Sequence, residues 1–114
     1  MAVLKSTANN WKKITGCEIT QGYGLTETSP IVSVNKIEDK FNSTIGLPLP
    51  STEISIRDSH GNELEIGTEG ELCVRGPQVM EGYWNNIEET KNVFTSDGFF
   101  MTCLLYTSRA HETV

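Results

Sequence analysis

No apolar stretch in this chain approaches the roughly 20 residues that a membrane-spanning helix requires. No charged-then-apolar signal segment opens it either. Basic residues are few and scattered: 9 Lys and Arg stand against 15 Asp and Glu, for a formal net charge of -6. Lys12-Lys13 is the nearest approach to a basic patch, and a solvated helix face accounts for it. Phosphate backbones are bound by Lys and Arg gathered on one face, so nucleic acid is not an expected partner. The acids are also dispersed, with no run of like charge that would read as an interaction tail. Cysteine is sparse: Cys17, Cys73 and Cys103 form no Cys-x-x-Cys pair, and 2 histidines are too few to complete zinc sites with them. Free thiols are expected. Internal repeats and low-complexity segments are missing as well. The expected compartment is the cytoplasm, or the cytoplasmic side of a membrane.

With 114 residues, 37% of them hydrophobic, the chain has room for one small domain. Leu4, Ala8, Trp11 and Ile14 recur at helical spacing and Gly16 follows where a left-handed cap is wanted, which predicts a helix over residues 3 to 14. Cys17 to Thr20 reads as a short strand running into Gly22-Tyr23-Gly24, and Pro30 to Val34 as another. Residues 35 to 50 end in Gly46-Leu47-Pro48-Leu49-Pro50, which cannot be a helix or a central strand and reads as a long ordered loop. Alternation resumes at Thr52 to Arg57, placing Ile54 and Ile56 on one face and Glu53, Ser55 and Arg57 on the other. A turn at Asp58 to Asn62 precedes a strand at Glu71 to Arg75 with Leu72 and Val74 inward, stopped by Gly76-Pro77. A short helix over Glu88 to Phe94 and a strand over Gly98 to Thr102 complete a strand-rich α+β reading.

The segment richest in chemistry is Gln21-Gly22-Tyr23-Gly24-Leu25-Thr26-Glu27-Thr28-Ser29-Pro30. It sets an aromatic ring, permissive backbone, a hydroxyl and a carboxylate in one loop after a strand. Tyr23 is placed to stack on a base, Thr26 to donate to a phosphate oxygen, and Glu27 to offer a hard oxygen ligand to magnesium. Spacing alone leaves a second reading open, a Gly-rich turn with an exposed Glu. Gly22 and Gly24 begin a dinucleotide fingerprint, but its third Gly is missing.

Tyr23-Gly24-Leu25-Thr26-Glu27 resembles the YG-x-TE core motif of the adenylate-forming, or AMP-binding, superfamily of acyl-CoA synthetases, luciferases and peptide-synthetase adenylation domains. Further segments are similar in the family's order: Ser43 to Pro48, Asp58 to Glu63, Gly70 to Pro77, and Gly82-Tyr83-Trp84. Asp97-Gly98-Phe99-Phe100-Met101-Thr102 resembles the start of a DG-(W/F)-x-x-TGD motif. Leu25 in place of Pro disfavours a peptide-synthetase domain. Val32 to Asn35, Pro50 to Glu53, and Pro77 to Met80 beside Gly82-Tyr83-Trp84 look like the long-chain fatty-acid CoA ligase branch.

The resemblance implies an internal fragment of the large N-terminal domain of the adenylate-forming fold, including its distorted β-barrel region. It implies ATP, Mg2+ and CoA as cofactor and substrates beside a fatty acid, and allows peripheral membrane association of the parent enzyme. Tyr23 would pack on adenine, Thr26 would contact the AMP phosphate, and Glu27 would hold the magnesium ion, so that Thr26 and Glu27 are the catalytic pair. Gly22, Gly24 and Leu25 would border nucleotide and acyl group, with Gly24 either leaving room for a long acyl chain or serving its own backbone. A short- or medium-chain ligase, a luciferase-like relative and a non-catalytic nucleotide-binding or interaction remnant are the alternatives. Gly70 to Pro77 and Gly82 to Trp84 are expected to be structural, with buried aromatics, and His60 a turn residue. Cys17 and Cys73 are expected to be inert core or strand thiols.

The family's upstream phosphate loop, its downstream ribose-binding Asp and its C-terminal domain with the adenylation Lys have no counterpart here, so the chain alone is expected to be inactive. After Thr102 the family motif continues Gly-Asp, whereas this sequence gives Cys103-Leu104-Leu105-Tyr106-Thr107-Ser108. Those residues are what TGT-CTC-TTA-TAC-ACA-TCT encodes, which looks like a transposase mosaic-end adaptor. The expected division is therefore a partial AMP-binding domain over 1–102 and a non-native tail over 103–114. The competing reading is a short apolar strand with a polar tail.

Overall fold

The computed structural model describes residues 3–107 and consists of a helix, two three-stranded antiparallel sheets and a second short helix. Helix α1 spans Lys5–Thr15 and ends at Gly16, whose φ of 74° lets its N–H reach the Lys12 carbonyl at 2.8 Å. Of the apolar stripe that predicted it, only Ala8 is buried, while Leu4, Trp11 and Ile14 face solvent. A helix of this length gains most of its stability from a packed face, and among the described residues that face has little to pack on. Cys17–Thr20, expected as a strand, is irregular. A strand requires a neighbour to take its hydrogen bonds, and this segment has none among the described residues. Cys17 is exposed, so the core or strand thiol expected there is corrected too.

The first sheet joins β1 (Gly22–Gly24), β2 (Ile31–Val34) and β3 (Leu47–Pro48) in that order. Tyr23 lies opposite Ser33 and Gly24 opposite Ile31, with a register shift between them. Strand β3 falls inside the stretch read as loop. Its proline is tolerated because β3 is an edge, where a missing N–H leaves no ladder bond unmade.

The second sheet orders β4 (Glu53–Arg57), β5 (Glu69–Arg75) and β6 (Phe100–Thr107). One face is apolar as the alternation predicts: Ile56, Leu72 and Val74 are buried against Val32 of the first sheet, flanked by Tyr23, Ile45, Ile54, Leu64, Val79 and Tyr106. Burying a side chain such as Leu72 contributes about 1.5–3 kcal/mol. The opposite face is covered too. Phe99 lies there nearly buried, with the Arg57 and Arg75 guanidiniums each 4.4 Å from its ring centroid. Arg57 makes a two-pronged bond to Asp97 at 2.8 and 2.7 Å, and Arg75 pairs with Glu53 at 2.7 Å. Asp97 is held well below the usual carboxylate range, chiefly by that Arg57 bond. Ser55 and Cys73 are enclosed beneath, and burial pushes the Cys73 thiol up to about 11.

Asp58 builds the turn expected at this point, accepting from the His60 and Asn62 amides at 2.8 and 2.9 Å with His60 exposed. Helix α2 spans Ile87–Asn92, slightly earlier than its composition suggests, because Asn86 caps it by accepting from the Glu89 amide at 3.1 Å. The strand expected over Gly98–Thr102 starts at Phe100 and runs on to Thr107, pairing Leu105 with Glu71 and Tyr106 with Gly70. Leu104 to Thr107 are β-prone residues beside an otherwise unpaired edge of β5. Ser108 to Val114, the rest of the segment read as a foreign tail, lie outside the described residues.

Candidate nucleotide site

The loop between β1 and β2 is built around a residue that motif reasoning passed over. Thr28 is fully buried. Its hydroxyl lies 2.7 Å from the Pro30 carbonyl and 3.0 Å from that of Leu25, and accepts from the Leu25 amide at 3.0 Å. Backbone bonds from Leu25 N to Pro30 O (2.8 Å) and from Thr28 N to Leu25 O (3.0 Å) tighten the same turn, so that Thr26–Thr28 form a single 3-10 turn. The sequence signal was present as a Thr two positions before a proline, where a hydroxyl can close a turn on the backbone.

Gly22, Tyr23, Gly24 and Leu25 line a cavity of about 450 Å³ that Thr44 and Tyr106 also border. Four of the six motif residues singled out in the sequence thus share one wall. Tyr23 meets Tyr106 edge-on at 5.5 Å between centroids, and its hydroxyl is buried with no hydrogen-bond partner among the described residues. Burial pushes that hydroxyl's pKa up. At Gly24 a Cβ would stand 1.6 Å from the Pro30 carbonyl oxygen. The direction a side chain would take is filled by backbone, which favours the second of the two readings, Gly24 serving its own backbone.

Thr26 and Glu27 do not line this cavity. They sit past it on the 3-10 turn, with Thr26 exposed and Glu27 half-buried. Glu27 is held twice by a segment more than fifty residues on: its carbonyl accepts from Met80 N at 2.8 Å, and its Oε2 accepts from the Tyr83 hydroxyl at 2.9 Å. Tyr83 N–H in turn donates to Thr90 Oγ1 at 2.9 Å, and Thr90 Oγ1 donates to Asn86 O at 2.8 Å. The Glu27 bond raises the Tyr83 hydroxyl's pKa. Glu27 Oε1 has no hydrogen-bond partner among the described residues. No cluster of three or more His, Cys, Asp or Glu that could hold a metal occurs among them. A single available carboxylate oxygen fits magnesium, which usually takes one or two carboxylates together with substrate phosphates and water.

The segment Gly82 to Trp84, read as purely structural with buried aromatics, divides in two. Tyr83 touches the candidate carboxylate, whereas Trp84 is 92% exposed because nothing among the described residues covers it.

The family of AMP-binding enzymes matches residues 1–84. The chain belongs to that family. It is 48% identical over 103 residues to the long-chain-fatty-acid–CoA ligase of Yersinia pestis, covering 90% of this chain and 18% of the relative. Among solved structures, apo MatB from Rhodopseudomonas palustris superposes with a TM-score of 0.93 at 34% identity, over 100% of this chain and 23% of MatB. The anthranilate CoA ligase AuaEII, solved in complex with anthranoyl-AMP, gives 0.89 at 26% identity, over 99% of this chain and 22% of its own. The fold is therefore that of the adenylate-forming enzymes, of which the chain spans less than a quarter of each of these three relatives.

Proposed function

We propose that the chain is the nucleotide- and metal-facing segment of a ligase that joins a fatty acid to CoA at the expense of ATP. One observation carries the reading: β1 and Leu25 line a cavity, and the turn that follows presents the carboxylate of Glu27, hydrogen-bonded at Oε2. In the reaction a carboxylate oxygen attacks the α-phosphorus of ATP and the bond to pyrophosphate breaks. The CoA sulfur then attacks the acyl carbon, and AMP leaves. This chain's residues bind and orient: Tyr23 flanks adenine, Thr26 donates to the AMP phosphate, and Glu27 holds the metal ion. Gly22, Gly24 and Leu25 shape the border between nucleotide and acyl group. Magnesium, when bound, offsets charge on the phosphates. Such a site works by positioning, and one loop does not make a complete one, so the 114-residue chain alone is inactive in this reading. In this reading the parent enzyme works in the cytoplasm or against its membrane.

The test sets residues 1–102 into the matching segment of the Yersinia pestis relative and measures ATP–pyrophosphate exchange with acetate, octanoate and palmitate. Exchange that favours palmitate and falls about 100-fold in Glu27→Gln, or about 2.7 kcal/mol, supports the reading. Preference for acetate or octanoate assigns the segment to a short- or medium-chain ligase instead. An unchanged rate in Glu27→Gln at saturating magnesium refutes the metal role. Tight binding of ATP by the isolated 114-residue chain in calorimetry would favour a self-sufficient nucleotide-binding module.

A further inference from the structure

The Glu27 side chain is bonded to a distant part of the chain, and the bond is made by a residue that the motif reading leaves without a catalytic role. Tyr83 reaches it across 56 positions with a 2.9 Å hydrogen bond to Oε2. A carboxylate on a turn can rotate about its side-chain torsions, and each rotamer presents a different oxygen. A donor fixed on one oxygen selects one of them.

Tyr83 is itself fixed. Its amide is bonded to Thr90 Oγ1, and the same hydroxyl bonds the Asn86 carbonyl, so Tyr83 is tied to the first turn of α2. At Gly82 a Cβ would lie 2.6 Å from Thr90 Cγ2, so a side chain there would have to displace Thr90. On the other side, Met80 N–H grips the Glu27 carbonyl at 2.8 Å. The strap from Met80 to Thr90 thus holds both the backbone and the carboxylate of Glu27, and leaves Oε1 uncommitted.

We propose that Tyr83 is a positioning residue for the metal site: its hydroxyl fixes Glu27 Oε2 so that Oε1 faces the metal and the ATP phosphates. This rests on the reading of Glu27 as the magnesium ligand. The hydroxyl acts through Glu27 and touches neither substrate nor metal. The Tyr83 ring is dispensable for this role, and the O–H is not.

The experiment uses the full-length chimera described above, in its wild-type form and as Tyr83→Phe, Thr90→Val, Glu27→Gln and the Tyr83→Phe/Glu27→Gln pair. Two quantities are read. One is the affinity for Mn2+ in the presence of a non-hydrolysable ATP analogue, followed by loss of the free Mn2+ resonance. The other is the affinity for the same analogue without metal. Tyr83→Phe is expected to weaken Mn2+ binding about 10-fold while leaving metal-free nucleotide binding within about 2-fold. Thr90→Val, which loosens Tyr83 through its backbone, is expected to act in the same direction by a smaller factor. In the pair, Tyr83→Phe is expected to add nothing to Glu27→Gln, because its effect passes through that carboxylate. If Glu27→Gln weakens Mn2+ binding and neither Tyr83→Phe nor Thr90→Val does, the positioning role is overturned and the metal reading stands. If Glu27→Gln has no effect, both fall together. A loss of metal-free nucleotide binding equal to the loss of Mn2+ binding in Tyr83→Phe would make Tyr83 a general structural residue and overturn the proposal.

Discussion

Gly24 and Pro30 approach so closely that a Cβ on the glycine would stand 1.6 Å from the proline carbonyl oxygen and 2.5 Å from its carbon. The two are held there by the Leu25 amide and the Thr28 hydroxyl, which both bond Pro30 O. Backbone, unlike the tip of a long side chain, cannot move aside without opening the turn.

Gly24→Ala is therefore expected to damage the loop as a whole. In the full-length chimera, kcat/KM should fall by a similar factor, about 10-fold or more, for acetate, octanoate and palmitate, together with a drop in the thermal midpoint. A loss in Gly24→Ala or Gly24→Trp that grows with acid chain length, at unchanged thermal midpoint, would restore the acyl-pocket role.

Thiol reactivity should divide the three cysteines. Cys73 is buried beneath Phe99, and its pKa near 11 leaves roughly one thiol in a thousand ionised at pH 8. Cys17 and Cys103 are exposed. Brief iodoacetamide treatment of the 114-residue chain followed by peptide mass mapping should find Cys17 and Cys103 alkylated and Cys73 free, with Cys73 reacting only in denaturant. Alkylation of Cys73 at the rate of Cys17 would mean that the Phe99 face is open in solution.

Much of the fold was legible because its signals are local. Alternation over Thr52–Arg57 and Glu71–Arg75 placed Ile56, Leu72 and Val74 inward, and Gly16 marked the end of α1. Failures came where structure depends on distant neighbours. Cys17–Thr20 has strand-like composition and no partner among the described residues, while β6 passes Thr102 because β5 offers an unpaired edge. The candidate site followed the same rule. Gly22 to Leu25 were found through their motif and do share a cavity. Thr28 could have been found from its place before Pro30. The Tyr83–Glu27 bond joins residues 56 positions apart and had no local signature.

The Arg57–Asp97 pair makes a pH dependence with a definite sign. The two hydrogen bonds from Arg57 hold the Asp97 pKa below its ordinary value. A group whose carboxyl is depressed in the folded state stabilises it at pH above the unfolded value, about 3.9, and loses that contribution as pH falls toward the folded value. The stability difference between wild type and Asp97→Asn, measured by urea unfolding, should be constant above about pH 5 and shrink below about pH 4. A difference independent of pH down to about pH 2 would show that Asp97 acts through hydrogen bonding alone, without its charge.

The contact between Tyr23 and Tyr106 yields the last prediction, because it ties the candidate adenine-facing ring to the residues that follow Thr102. Tyr106 meets Tyr23 edge-on at 5.5 Å and borders the same cavity. The Tyr23 hydroxyl is buried, and burial disfavours its anion, which raises its pKa. Ending the chain after Thr102 removes Leu104 and Tyr106 from the cavity border and lets water reach the hydroxyl. Carbon-13 resonances of labelled tyrosine, followed through alkaline titration, should show the Tyr23 midpoint falling toward the ordinary value of about 10 in the truncated chain. Tyr106→Ala should move it in the same direction by a smaller amount, since the rest of β6 still pairs with β5. An unmoved midpoint in both variants would place the burial of Tyr23 entirely with Val32, Leu72 and the rest of the core, and would separate the cavity from the residues that follow Thr102.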